Sequence, residues 1–122
     1  MSAVATPWPV ELKFAQATRI LSIGFDDGST FQLPAEYLRV ESPSAEVQGH
    51  GAGQKQTVAG KRLVSVARMD PVGRYAVRLV FDDGHDTGLY SWTYLHELGR
   101  EYATRWADYE RRLAAARLFR DA

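Results

Sequence analysis

The tetrapeptide Phe-Asp-Asp-Gly stands twice in the chain, at 25–28 and at 81–84, each time behind alternating apolar residues and ahead of a segment that reaches Tyr-Leu. Aligned on it, IGFDDGSTFQLPAEYLR and LVFDDGHDTGLYSWTYLH keep the same order, with one extra residue in the second copy. Each copy reads as a strand, a tight turn, a short strand and the start of a helix. Asp-Gly is the pair that a two-residue type I′ hairpin turn demands, and the Asp before it can close the turn through its carboxylate. The paired acids are therefore read as turn residues rather than as a catalytic or cation-holding pair. The repeat is architecture, and function is to be sought in what differs after each copy.

A chain of 122 residues suffices for one hydrophobic core, so residues 1–122 are expected to form a single domain. Fifteen basic and 15 acidic side chains cancel, which leaves no global field to favour nucleic acid or an anionic membrane. There is no cysteine, so a disulfide, a thiolate-held metal and a cysteine nucleophile are excluded for this chain alone. No apolar run approaches the ~20 residues that cross a bilayer. The start, MSAVATPWPVELKF, lacks a basic stretch followed by an apolar one, so the chain reads as soluble and cytoplasmic.

Residues 1–9 place two prolines around Trp8 and read as an irregular arm, with ELKFAQ a short edge strand. RILSIGF and STFQL form the first hairpin, and Pro34 suits the first turn of a short helix over PAEYLR. From Val40 to Gly60 periodicity disappears, which reads as a long loop of the kind that is usually functional. LVSVARM and YAVRLVF form the second hairpin around a turn at Asp70-Pro71-Val72-Gly73, and HDTGLY is a short third strand. Ser91 then caps a helix. Trp92, Leu95, Leu98, Tyr102, Trp106, Tyr109, Leu113 and Ala116 recur at intervals of three or four, the spacing of one helical face. Arg100, Glu101, Arg105, Asp108, Glu110, Arg111 and Arg112 occupy the opposite face, and Gly99 marks a break. The expected class is α+β: a small antiparallel sheet of two related hairpin units under a long C-terminal amphipathic helix.

YLRVESPSAEVQGHGAGQ, followed by LVFDDGHDTGLYSWTYLHELG, resembles the small bacterial family similar to the N-terminal domain of gamma-butyrobetaine hydroxylase, over about Leu12 to Tyr109. The resemblance implies an accessory module, since related modules are joined to the hydroxylase and to Mrp-type P-loop ATPases of iron–sulfur cluster assembly without being the catalytic part. In the hydroxylase the module is similar to a zinc-binding domain. The motif carries its cysteine positions onto Ser42, Ser44 and Val47, after Leu38-Arg39, and its histidine onto His85. Serine hydroxyls are poor zinc ligands and valine is none, so no metal and no cofactor are expected here.

The residues expected to bind a partner or ligand are Arg39, Ser42, Ser44, Glu46, His50, His85 and Trp92. The leading expectation is a non-enzymatic interaction module for a larger protein, an Mrp-type ATPase among the candidates, linked to iron–sulfur assembly. The alternative is a small-ligand or metal-binding domain in which His85 and His50 meet Glu46, Asp83 or Asp86. An independent enzyme ranks third. Ser42 and Ser44 have no nucleophile elbow, and GHGAGQ lacks the strand, helix and Gly-Lys-Ser/Thr ending of a P-loop.

Overall fold

The computed structural model describes residues 7–49 and 55–121. In chain order its elements are β1 (Pro9–Ala15), β2 (Ile20–Phe25), β3 (Thr30–Pro34), α1 (Ala35–Val40), α2 (Ala45–Gln48), β4 (Val66–Val72), β5 (Ala76–Phe81), β6 (Leu89–Ser91), α3 (Trp92–Arg100) and α4 (Tyr102–Ala116). The α+β class stands, with the strands divided between two antiparallel meanders, β1-β2-β3 and β4-β5-β6. Leu21, Ile23 and Phe25 of β2 and Val77, Leu79 and Phe81 of β5 alternate into one shared core, joined by Leu33, Tyr37, Leu38, Tyr90, Leu95 and Leu98. No helix among the described residues is long and apolar enough to cross a membrane.

Both Phe-Asp-Asp-Gly segments turn the chain, by a different geometry from the one expected. Phe25 N–H donates to Ser29 O at 2.9 Å and Gly28 N–H to Phe25 O at 3.1 Å; Phe81, His85 and Gly84 repeat the two bonds at 2.9 and 3.1 Å. Only Gly28 (φ 87°) and Gly84 (φ 93°) enter the left-handed region within these loops. Each is thus a three-residue loop, a type I turn closed by a left-handed glycine, rather than a type I′ turn. The closing carboxylate belongs to the second Asp: Asp27 Oδ1 accepts from Ser29 N–H at 2.9 Å, and Asp83 Oδ1 from His85 N–H at 3.0 Å. The first Asp of each pair reaches sideways. Asp26 exchanges two hydrogen bonds with the backbone of Trp8, and Asp82 two with the backbone of Ser65, which pins the entry to each sheet.

These matched bonds extend to the helices and define an internal twofold relation. Tyr37 of α1 donates its hydroxyl to Leu98 O at 2.7 Å, while its counterpart Tyr94 of α3 donates to Glu41 O. Asp27 Oδ2 lies 2.9 Å from His96 Nε2 on α3, and Asp83 Oδ2 lies 2.8 Å from Arg39 Nε on α1. The turn of each unit therefore clasps the helix of the other, and α3 packs on β3 as well as on β6.

Six local expectations are corrected. Pro71 lies within β4, paired with Val77, and the turn comes after it at Gly73; β4 is an edge strand, where a missing N–H leaves no ladder bond broken. The 40–60 segment contains α2, a single turn capped by Ser44 and anchored by buried Val47. The arm ends at Trp8 because Pro9 already pairs with Phe25. The C-terminal helix breaks at Glu101, not at Gly99. On α4, Tyr109 and Leu113 are buried, Trp106 is half-buried and Ala116 is exposed. Arg105 and Arg112, assigned to the solvent face, turn instead to buried Glu41, at 2.7 and 3.6 Å.

Gly99 is helical, and Phe31 occupies the space where a side chain would stand: a Cβ there would meet the Phe31 ring at 2.3 Å. In an exposed helix interior, Gly→Ala stabilises by roughly 1 kcal/mol. Here the sign reverses, and Gly99→Ala is expected to lower the unfolding free energy in urea by about 1–3 kcal/mol, because Phe31 is forced from its seat. A variant as stable as the parent chain would show that Phe31 does not fill that space.

Candidate functional site

The two units differ most where α1 ends and the β5–β6 loop returns. Matching the halves places Phe31 opposite Gly88, and Gly99 opposite Ser42. In the first half the strand supplies an aromatic ring and the helix a glycine. In the second half the strand supplies the glycine, and a Cβ on Gly88 would fall 2.6 Å from Ser42 Oγ and 3.0 Å from the Tyr90 ring. An apolar plug in one half is thus a polar contact in the other.

Ser42 has no solvent exposure, and its hydroxyl shares a 2.9 Å hydrogen bond with His85 Nε2. Its Oγ also accepts from Ser44 N–H at 3.3 Å, and its carbonyl accepts from the Gln48 side-chain amide at 2.9 Å. Ser44 caps α2 by accepting from Glu46 N–H at 3.2 Å. Thr87 lies 2.8 Å from Ser44 Oγ and 2.6 Å from Glu46 Oε1. A threonine hydroxyl has one proton, and the carboxylate can only accept, so that proton goes to Glu46 and the Ser44 hydroxyl donates to Thr87. The chain of bonds staples the 42–48 segment to the β5–β6 loop.

Arg39 and Asp83 border this network. Asp83 Oδ2 faces Lys61 Nζ at 2.7 Å as well as Arg39. Burial pushes the Asp83 carboxyl up, but Lys61, the His85 amide and Arg39 outweigh it and hold the carboxyl at about 2. His85 is buried to within 7% of full enclosure. That burial, followed by the nearby Arg39 charge, depresses its pKa below the ordinary 6.5 and favours the neutral ring.

Arg39, Ser42, Ser44, Glu46 and His85 therefore lie together. Trp92 does not join them: its indole N–H donates to Arg74 O at 2.8 Å, at the β4–β5 turn. His50 lies outside the described residues. Thr87, Gly88 and Asp83 complete the site; the sequence reading singles out neither Thr87 nor Gly88, and weighs Asp83 only as a turn residue and as a carboxylate for the alternative histidine site. The extra residue of the second copy, in the loop that holds them, was the signal that could have found them.

The four positions matched to zinc ligands do cluster, yet two hydroxyls, a valine and one imidazole are not a thiolate set, and they do not fit that metal. Among the described residues no group of three His, Asp or Glu side chains could hold a metal ion. Nor does Ser42–His85 form an acyl-transfer apparatus. Ser42 is sealed from solvent, and among the described residues no carboxylate hydrogen-bonds the His85 ring to orient it.

A family model described as "Gamma-butyrobetaine hydroxylase-like, N-terminal" matches residues 12–96. Two proteins solved in solution by NMR share the fold. One is 43% identical with a TM-score of 0.83, covering 96% of this chain and 92% of its own. The other is 48% identical with a TM-score of 0.82, covering 98% and 89%. A crystal structure of a protein of unknown function from Acidithiobacillus ferrooxidans, in the DUF971 family, is 42% identical with a TM-score of 0.63, over 75% of this chain and 91% of that one. No curated protein matches.

The depressed pKa of His85 links the site to pH. Between its lowered folded value and 6.5 the unfolded chain takes up a proton that the folded chain refuses. This contribution is complete above 6.5 and is lost as the pH falls below it. Urea midpoints measured between about pH 7.5 and about pH 5 should fall more steeply for the parent chain than for His85→Gln. Parallel profiles would show that His85 is not held neutral.

Proposed function

Since the chain belongs to the gamma-butyrobetaine hydroxylase-like N-terminal family, we propose that it is a non-catalytic accessory module that docks on a larger protein through the face formed by residues 42–48 and 83–88. The observation that supports this reading is the departure from internal symmetry at Ser42 and Gly88. An apolar seat such as Phe31 on Gly99 would serve folding alone, whereas the second half spends buried hydroxyls and an imidazole to fix a segment whose outer residues are polar. Glu46, Asp86 and Thr87 are exposed on this face, while Ser42, Ser44 and His85 beneath them are buried and hydrogen-bonded. Held backbone with exposed polar groups suits recognition, because little conformational entropy remains to be lost on binding.

The partner proposed is an Mrp-type P-loop ATPase, and the setting is iron–sulfur cluster assembly. The family's modules accompany catalytic proteins, and nothing in the Ser42–His85 pair supplies a reaction. In this reading the polar staple replaces a metal as the tie between the 42–48 segment and the β5–β6 loop.

Isothermal titration of the purified chain against the Mrp-type ATPase of the same cell tests the proposal. Thr87→Arg adds bulk and charge at the centre of the face, and it should weaken binding at least about tenfold with the fold intact by circular dichroism. Lys13→Glu, on exposed β1, should bind as the parent does. Absence of binding by the parent chain, or equal weakening by both variants, would sink the proposal.

A further inference from the structure

The two ends of the internal twofold are covered differently. At the second turn, Lys61 Nζ meets Asp83 Oδ2 at 2.7 Å, and Arg120 holds Glu36 of α1 through two hydrogen bonds of 2.8 and 2.9 Å. The stretches carrying these cations run side by side: Gly60 N–H donates to Phe119 O at 2.9 Å and Arg62 N–H to Arg120 O at 3.1 Å. Basic chain, bent at Gly60 and closed into a turn by Val64 N–H donating to Lys61 O at 3.1 Å, thus lies along α1 and over the Asp83 turn.

The corresponding place at the first turn, along α3 and over Asp27, is an open cleft of about 590 Å³. Pro7 borders it, and Asp26, Asp27, Thr93, His96, Glu97 and Arg100 complete its lining. Asp27 matches Asp83, and Thr93 matches Glu36. The Asp27 side chain keeps 42% exposure despite its contact with His96, so the carboxylate that corresponds to the Lys61 anchor remains reachable from the cleft.

We propose that this cleft is a docking groove for a turn of a partner protein bearing lysine or arginine. The molecule's other half displays the mode of binding, a basic turn that sets a lysine on the turn aspartate. Glu97 adds a further carboxylate where the other half has Val40. Three acids face one arginine and one histidine in the groove, so the charge favours a cationic occupant. The groove is distinct from the Ser42–His85 face, and neither proposal depends on the other.

The probe is the peptide VAGKRLV, the chain's own residues 58–64, fluorescently labelled and titrated with the full chain. Saturable binding is expected, with amide shifts in NMR spectra across 93–100. Glu97→Lys should weaken it at least about tenfold, as should replacing the peptide's lysine and arginine with alanine. Glu11→Lys, exposed on β1, should leave it unchanged, and circular dichroism would confirm that each variant folds. The proposal is overturned by absence of saturable binding, by equal loss in Glu11→Lys, or by shifts confined to the Asp83 turn. Binding that emerges only after removal of residues 1–6 would also overturn it, since the chain's own N-terminus would then be the occupant.

Discussion

Two tyrosine hydroxyls hold the halves of this molecule in register. A helix ends with carbonyls that have no partner within the helix. Here Tyr37 of α1 satisfies Leu98 near the end of α3, and Tyr94 of α3 satisfies Glu41 at the end of α1. Burial raises both phenols above their ordinary pKa of 10.0, Tyr94 to about 12, so each remains a donor through the neutral range. Because each bond crosses between units, displacing one helix leaves a carbonyl of the other unpaired in an apolar setting. The clasps Asp27–His96 and Asp83–Arg39 close the same exchange at its rim.

The second constraint is electrostatic. Glu41 is buried to 1% exposure at the end of α1, and Lys55, Arg105 and Arg112 surround its carboxylate. This ties the far side of the 40–60 segment to α4, while Tyr109, Leu113 and Val40 make the small apolar cluster beside it. Removing one partner of a buried ion pair typically costs about 3–5 kcal/mol, since the remaining charge is stranded. Guanidinium groups over the rings of Tyr94, Tyr109 and Trp106 continue the theme along α4. That helix is held by its charged residues as much as by its aromatic ones.

Whatever repeats locally was legible in the sequence. Period-two runs located β2 and β5, and the duplicated tetrapeptide identified both turns, although Asp-Gly alone could not distinguish a two-residue loop from a three-residue one. What depended on distant partners was not legible. Arg105 and Arg112 read as solvent residues because their helical spacing says nothing of Glu41, 64 residues from Arg105. One-turn α2 buries a single apolar side chain, too little for a period. At the candidate site, Ser42 and His85 were named from a motif, but their contact required the return of a loop 43 residues later. Gly88 became meaningful only once the Ser42 hydroxyl occupied the place of its missing side chain.

The exchange of helices between units also governs the order in which the chain can fold. Neither βββα unit completes its own core: β3 waits for α3, and the hydroxyl of Tyr37 waits for Leu98. Such contacts join residues far apart in sequence, so loop-closure entropy must be met before they give any return. The first unit therefore leaves the ribosome with one sheet face uncovered and a carbonyl acceptor still unmade. Burial of that face must await synthesis of α3, and until then the growing chain exposes apolar surface of the kind that aggregates.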